Sequence, residues 1–149
     1  EEKEDLVTFM LDDRLFGVNI QHVQEVIRPT EITRVPSVAD YILGVINLRG
    51  NIAPILDLRR RFRLKETDVS EKTRIIIMFF KNISIGFLVD QVHHIFHVKK
   101  SNIKRPPNLA GGLELKYVRG VADLGDGERH LLIILNIDQI YDSRKISEQ

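Results

Sequence analysis

LVTFMLDDRLFGVNIQHVQEVI (Leu6 to Ile27) and IIIMFFKNISIGFLVDQVHHIF (Ile75 to Phe96) lie over one another without a gap. In that register Gly17 falls on Gly86, Ile20 on Val89, Val23 on Val92 and Val26 on Ile95. The correspondence resumes downstream. Tyr41, Gly44 and Val45 match Tyr117, Gly120 and Val121, and Ile55-Leu56-Asp57-Leu58 matches Ile134-Leu135-Asn136-Ile137. Blocks in one order, with length changes confined to polar or Gly/Pro-rich connections, mark a duplicated structural unit. Each copy is then a control for the other: shared features belong to the scaffold, and features of one copy alone are candidates for function.

Within each copy the pattern is that of strands. Val7, Phe9 and Leu11 alternate with Thr8, Met10 and Asp12, and Asp12-Asp13-Arg14 turns into Leu15-Phe16-Gly17-Val18, which reads as a hairpin. Arg74 to Phe80, a polar Lys81-Asn82 turn and Ile83 to Asp90 repeat it. Further β-branched runs at Gly44 to Leu48, Ile52 to Leu58, Val118 to Ala122 and Leu131 to Ile137 give four or five strands per copy. Short, evenly spaced strands with no helical segment between them favour small barrels or sandwiches, and closure removes edges open to aggregation. The predicted helical segments are Val38 to Leu43 with Ser37 as N-cap, a turn around Leu58 to Phe62, and Asp138 to Arg144.

Composition narrows the class. A chain of 149 residues, 43% hydrophobic, suffices for one domain with a sizeable core or two small units sharing an interface. A formal net charge of +1 implies neither nucleic acid nor an anionic membrane as a global partner. There is no cysteine, which excludes disulfides, thiolate catalysis and Cys-ligated zinc. No apolar run approaches the roughly 20 residues that span a bilayer, and Glu1-Glu2-Lys3-Glu4-Asp5 lacks the features of a signal peptide. The expectation is a soluble, cytoplasmic protein.

The copies diverge after the shared Tyr-x-x-Gly-Val. Copy two continues through Asp126-Gly127, ordinary turn chemistry, whereas copy one places Arg49 at the tip of Asn47-Leu48-Arg49-Gly50. A guanidinium is a planar fork suited to carboxylates or carbonyls, so Arg49 is either a contact residue or a solvated turn residue.

Phe16-Gly17-Val18-Asn19-Ile20, Val23-Gln24-Glu25-Val26, Ile32-Thr33-Arg34-Val35-Pro36, Gly44 to Gly50, Pro54-Ile55-Leu56-Asp57-Leu58 and Gly86-Phe87-Leu88-Val89-Asp90 together resemble the CheW family of bacterial chemotaxis coupling proteins, from about Leu6 to Ile140. The resemblance implies a mostly β fold of two five-stranded Src-homology-3-type (SH3-type) barrels around a shared core, with few short helices. Residues 1–149 then read as one domain. Its first barrel lies within 6–65, with strand exchange between barrels left open, its second within 73–137, and a C-terminal helix and tail in 138–149.

The implied function is scaffolding, linking chemoreceptor cytoplasmic tips to the histidine kinase CheA through its regulatory domain, at the receptor array beneath the inner membrane. The implied receptor-binding residues are Val23, Glu25, Val26, Arg49 and Ile75; the implied kinase-binding residues are Ile103, Arg105, Pro106 and Pro107. Glu25 and Arg49 have an alternative role, bracing one another. For Val23 and Val26 the alternative is core, because copy two keeps Val92 and Ile95 there. A domain cut from a CheV-type protein or from CheA itself would carry the same motifs, although the end near Gln149 favours a stand-alone protein.

Three chemical readings compete with this one. His93, His94 and His97 include two members four apart, which on a helix would share a face as metal ligands, but the segment is β-branched and lacks an adjoining acid. Arg59-Arg60-Arg61-Phe62-Arg63 with Lys65 is the best case for nucleic acid, yet it is short and offset by Glu66, Asp68 and Glu71, so it reads as a solvated or partner-facing basic turn. For an enzyme there is no nucleophile elbow, phosphate loop or dinucleotide fingerprint. Asp57 and Asp90, the acids in the most apolar surroundings, read as turn caps. The chain is therefore read as a non-catalytic adaptor with no cofactor, metal or nucleic acid.

Overall fold

The structure, a computed structural model, describes residues 1–106, 113–125 and 131–141. Both hairpins form where their turns predict them. Strands β1 (Lys3–Leu11) and β2 (Arg14–Asn19) pair across a two-residue loop, as do β6 (Arg74–Phe80) and β7 (Ile83–Val89). Asp12, Lys81 and Asn82 adopt positive φ there, the backbone whose twist suits a tight hairpin. The other strands are β3 (Val23–Ile27), β4 (Ile42–Leu48), β5 (Asn51–Asp57), β8 (Gln91–Lys99), β9 (Ile103–Lys104), β10 (Val118–Asp123) and β11 (Leu131–Leu135). Two short helices, α1 (Leu58–Arg61) and α2 (Ile137–Ile140), follow β5 and β11.

Sheet membership crosses the repeats. One sheet runs β8-β1-β2-β11-β10-β9 and the other β3-β6-β7-β5-β4. The β1–β2 hairpin of the first repeat thus lies between strands of the second, and β6–β7 lies between strands of the first. The boundaries 6–65 and 73–137 mark repeats of sequence, and the sheets are assembled across them. The registers are equivalent: β2 runs parallel to β11 with Gly17 opposite Ile134, and β7 runs parallel to β5 with Gly86 opposite Ile55. A Cβ on Gly86 would stand 2.5 Å from Ile55 Cδ1 and 2.8 Å from Ile75 Cγ2, so this glycine is required by close packing.

Alternation along the strands produces three apolar clusters. Leu6, Leu15, Val98, Leu132 and Ile134 fill the first sheet, and Ile46, Ala53, Ile55, Ile75 and Ile77 the second. The largest cluster takes Val7, Phe9 and Phe16 from the first sheet and Ile76, Met78 and Phe87 from the second, joined by Phe62 and Tyr117. Phe9 stacks on Phe16 and Phe16 on Phe62, with centroids 5.9 and 5.8 Å apart. Burying each such ring contributes about 2–3 kcal/mol, which makes this shared cluster the bond between the sheets.

The helix expected over Val38 to Leu43 does not form. Ser37 has φ 61°, not the extended backbone of an N-cap, a turn carries Ile42 N–H to the Ala39 carbonyl, and Ile42 begins β4. Of the helix expected at Asp138 to Arg144, α2 contains 138–140 and stops there, because Tyr141 is extended; residues 142–144 lie outside the described residues, as does the Asp126-Gly127 turn. Asp57 caps α1, accepting from the amides of Arg59 and Arg60 at 3.0 and 3.4 Å, whereas its counterpart Asn136 makes no such bond. Burial raises the carboxyl pKa of Asp57 above its ordinary value, against the lowering effect of those amides.

Candidate functional site

Strand β3 edges the second sheet, and a bulge decides what it presents. Strict alternation would put Val23 and Val26, three residues apart, on opposite faces. The register with β6 shifts between Val23 and Glu25, so that Val23 lies opposite Met78 and Val26 opposite Ile76, both members of the shared cluster. Val23 is half-buried against that cluster and Val26 is 42% exposed beside it. Glu25 and Ile27 take the other face, opposite Ile77 and Ile75. Strand β8 has the same irregularity, with Val92 opposite Phe9 and Ile95 opposite Val7. The apolar pair is therefore scaffold in both repeats, and its exposed member gives each edge an apolar contact point.

Among the described residues, the first repeat alone adds an ion pair there. The Arg49 guanidinium donates to both carboxylate oxygens of Glu25, from Nη2 to Oε2 and from Nη1 to Oε1 at 3.5 Å. The hydrogen bond to Glu25, then its charge, raises the pKa of Arg49 further. Arg49 sits at the β4–β5 turn with φ 51°, and Gly125, its counterpart, has φ 93°. This arginine therefore stands in the left-handed region, at a conformational cost, where the matching position of the other repeat is glycine. Asn47 Oδ1 accepts from the Gly50 amide at 2.8 Å and holds the turn.

The remaining predicted site residues are spread differently. Ile75 has 0% exposure within the second sheet's cluster, so its side chain supports Ile27 from beneath and is closed to a partner. Ile103 packs on the first sheet's cluster opposite Ala122, Arg105 is exposed and Pro106 half-buried; Pro107 lies outside the described residues. The three histidines lie on β8, where the helical four-residue spacing has no meaning. The rings of His93 and His94 sit 4.5 Å apart, and His97 Nδ1 lies 2.6 Å from Asp5 Oδ1.

Three arginines of the basic run are tied to protein groups, while Arg63 and Lys65 are exposed. Arg59, with its side chain 11% exposed, donates from Nε and Nη2 to Asp90 at 2.8 and 2.6 Å and also pairs with Asp12. Arg60 donates to Glu66 at 2.9 Å. Arg61 lies over the rings of Tyr41 and Tyr117, the matched tyrosines of the two repeats, and donates to the carbonyls of Ile140 and Gln139 at 2.7 and 3.0 Å. These cations are internal fasteners. The partners of Arg59 and Arg61, Asp90 and the carbonyls of Gln139 and Ile140, are distant in sequence, which a linear reading does not show.

A second feature sets the two sheets apart. Glu4, 7% exposed, accepts from Asn19 Nδ2 at 2.9 Å and from Arg119, where the other repeat has Thr73, Leu88 and Leu43. With Lys100, Asn136 and Asp138 they line a cleft of about 240 Å³. The counterpart cleft measures about 30 Å³, with Thr67, Asp68 and Val69 standing at it. The mismatch of Glu4 with Thr73 was the available signal.

Comparison with known proteins agrees with this architecture. The family model described as CheW-like domain matches residues 5–145. The chain is similar to the chemotaxis protein CheW of Bacillus subtilis, 32% identical over 139 residues covering 93% of this chain and 87% of that one. It is also similar to that of Rhizobium meliloti, 33% identical over 141 residues covering 95% and 89%. The crystal structure of scaffolding protein TtCheW from Thermoanaerobacter tengcongensis superposes with a TM-score of 0.84 at 30% identity, covering 95% of this chain and 90% of that one.

Proposed function

Because the chain belongs to the CheW-like domain family, we propose that it is a non-catalytic chemotaxis scaffold that couples chemoreceptor cytoplasmic tips to the regulatory domain of a CheA-type histidine kinase, at the array beneath the inner membrane. The observation that carries this reading is the β3 edge, where exposed Val26 stands beside the Arg49–Glu25 pair. A receptor tip is a helical hairpin, and an apolar stripe flanked by oriented charges is what such a helix requires of a groove. Val23 and Val26 take the apolar face of the helix, Glu25 and Arg49 set its orientation, and Ile75 fixes the strand from below. Kinase contact falls to the barrel end that carries Arg105 and Pro106, with Ile103 anchoring the segment and Pro107 among the contacts. No step of this role needs proton or group transfer, in keeping with the structural work done by Asp57 and Asp90.

The test is a titration of the protein against a receptor-tip fragment and against the kinase regulatory domain, with Arg49→Glu and Val23→Asp variants whose folding is confirmed by circular dichroism. Both partners should bind the parent chain, and the folded variants should lose mainly the receptor fragment. Failure of the parent chain to bind either partner sinks the proposal and leaves the fold untouched.

A further inference from the structure

Phe79 departs from its counterpart in the other repeat. It stands where Met10 does, and Ser84 stands where Leu15 does; each pair faces across its hairpin, Phe79 with Ser84 and Met10 with Leu15. In the first sheet Leu15 belongs to that sheet's cluster and Met10 packs against it, because β8 begins at Gln91 and sets that residue opposite Met10. In the second sheet His22 stands where Gln91 does, but it ends the single turn Ile20–His22 and lays its ring edge-on to Phe80, with centroids 5.4 Å apart. Strand β3 therefore starts one residue later, at Val23 opposite Met78. Phe79 lies beyond that start, 49% exposed at the edge of the sheet.

A single exposed apolar residue is ordinary on a protein surface, so the setting of Phe79 decides its meaning. Ile77, two residues back on β6 and hence on the same face, lies opposite Glu25, whose carboxylate holds Arg49. Ser84, the cross-strand partner of Phe79, donates from Oγ to Gln24 Oε1 at 3.1 Å, which draws Gln24 across the sheet beside the ring. We infer that Phe79 is the apolar anchor of the contact that Glu25 and Arg49 orient, and, resting on the receptor-coupling role proposed above, that its occupant is the receptor-tip helix. Two residues of strand separate Phe79 from the level of Glu25, about 7 Å. Residues four apart on a helix are about 6 Å apart, so one helix running along the β3 edge meets both with successive turns. The helix that fits carries an apolar side chain for Phe79 and, one turn away, a polar group for Arg49. A rigid aromatic ring beside an arginine, bordered by polar groups already bonded to one another, is the composition of an interface hot spot.

The test is Phe79→Ser, titrated against the receptor-tip fragment and against the kinase regulatory domain. The dissociation constant for the receptor tip should rise about tenfold, while that for the kinase domain stays as in the parent chain. An unchanged receptor-tip affinity in a parent chain that binds the fragment overturns the anchor and leaves the coupling role standing. A parent chain that binds no receptor tip overturns both. Should the serine variant fail to fold, the absence of cysteine in the parent chain supplies a second measurement. Phe79→Cys, carrying a benzophenone maleimide, is irradiated with the two fragments in turn. Cross-linking to the receptor tip supports the anchor, and cross-linking to the kinase domain alone, or to neither, overturns it.

Discussion

Arg59 and Asp138 hold equivalent positions in the two repeats, carry opposite charges, and pair with oppositely charged hairpin turns, Asp12 and Lys81. Each pair ties a helical turn that follows one sheet to a hairpin inserted in the other. The two are unequal in depth: Arg59 is buried with two carboxylates, while Lys81 and Asp138 are exposed. Arg59→Ala, which leaves Asp90 without its guanidinium, should destabilise the fold by about 1–3 kcal/mol. Lys81→Ala should cost at most about 1 kcal/mol. Urea denaturation of the two variants measures the difference, and equal losses would remove the distinction.

Acid should expose the same network. Burial acts to raise the Asp90 carboxyl, but the Arg59 hydrogen bonds, the Asp12 amide and the Arg59 charge together hold it below its ordinary value. A carboxyl lowered in the folded state contributes stability that is fully present above its unfolded value, about 3.9, and is lost as pH falls through the folded one. The parent protein should therefore lose stability below about pH 4 more steeply than Asp90→Asn, which starts lower at pH 7. Urea midpoints at pH 7 and pH 3 test this, and parallel losses would contradict it.

Charge reversal at the β3 edge separates bracing from recognition. Arg49→Glu and Glu25→Arg should each weaken receptor-tip binding by about tenfold or more. Their combination re-forms the pair and should recover part of that loss if bracing matters. A double variant no better than either single one would leave the two side chains as independent contacts.

Arg49→Gly asks a different question of the same turn. Since Gly125 adopts φ 93° at the sister position, glycine at 49 relieves the left-handed arginine, and the melting temperature should hold or rise while receptor-tip binding falls. A drop in both would mean that the Glu25 contact stabilises the turn more than its backbone strains it.

Glycine to alanine substitutions grade the two parallel junctions. Gly86→Ala forces Ile55, Ile75 and Ile77 apart and should cost about 1–3 kcal/mol, whereas at Gly17 the nearest atom is the Leu132 Cδ1 terminus at 3.1 Å, which can give way at lower cost. Chemical denaturation ranks them, and a more damaging Gly17→Ala would contradict the packing argument.

The repeat, visible along the chain, determined the strands, both hairpins, the alternation that builds the clusters and the correspondence of Tyr41 with Tyr117. These follow from period, turn residues and register, which are local properties of a polypeptide. The difference between the copies brought Arg49 forward as a candidate, and the family resemblance brought Val23, Glu25 and Val26. What only the tertiary structure decided was which strands meet. The exchange of hairpins, the closure of Ile75 within a cluster, the bulge that turns Val23 and Val26 to one face, and the partners of Arg59 and Arg61 all depend on groups far apart in sequence. Amphipathic alternation says that a side chain will be buried but not against what, and a run of arginines looks the same on paper whether solvent or a distant carboxylate receives it. The segment after Pro36 shows the same limit, because apolar residues there suited a helix until the left-handed Ser37 and the pairing of β4 with β5 made Ile42 the start of a strand. Partner choice is settled in three dimensions by packing and by the short links Ile20–His22 and Asp90, which carry the chain from one sheet into the other.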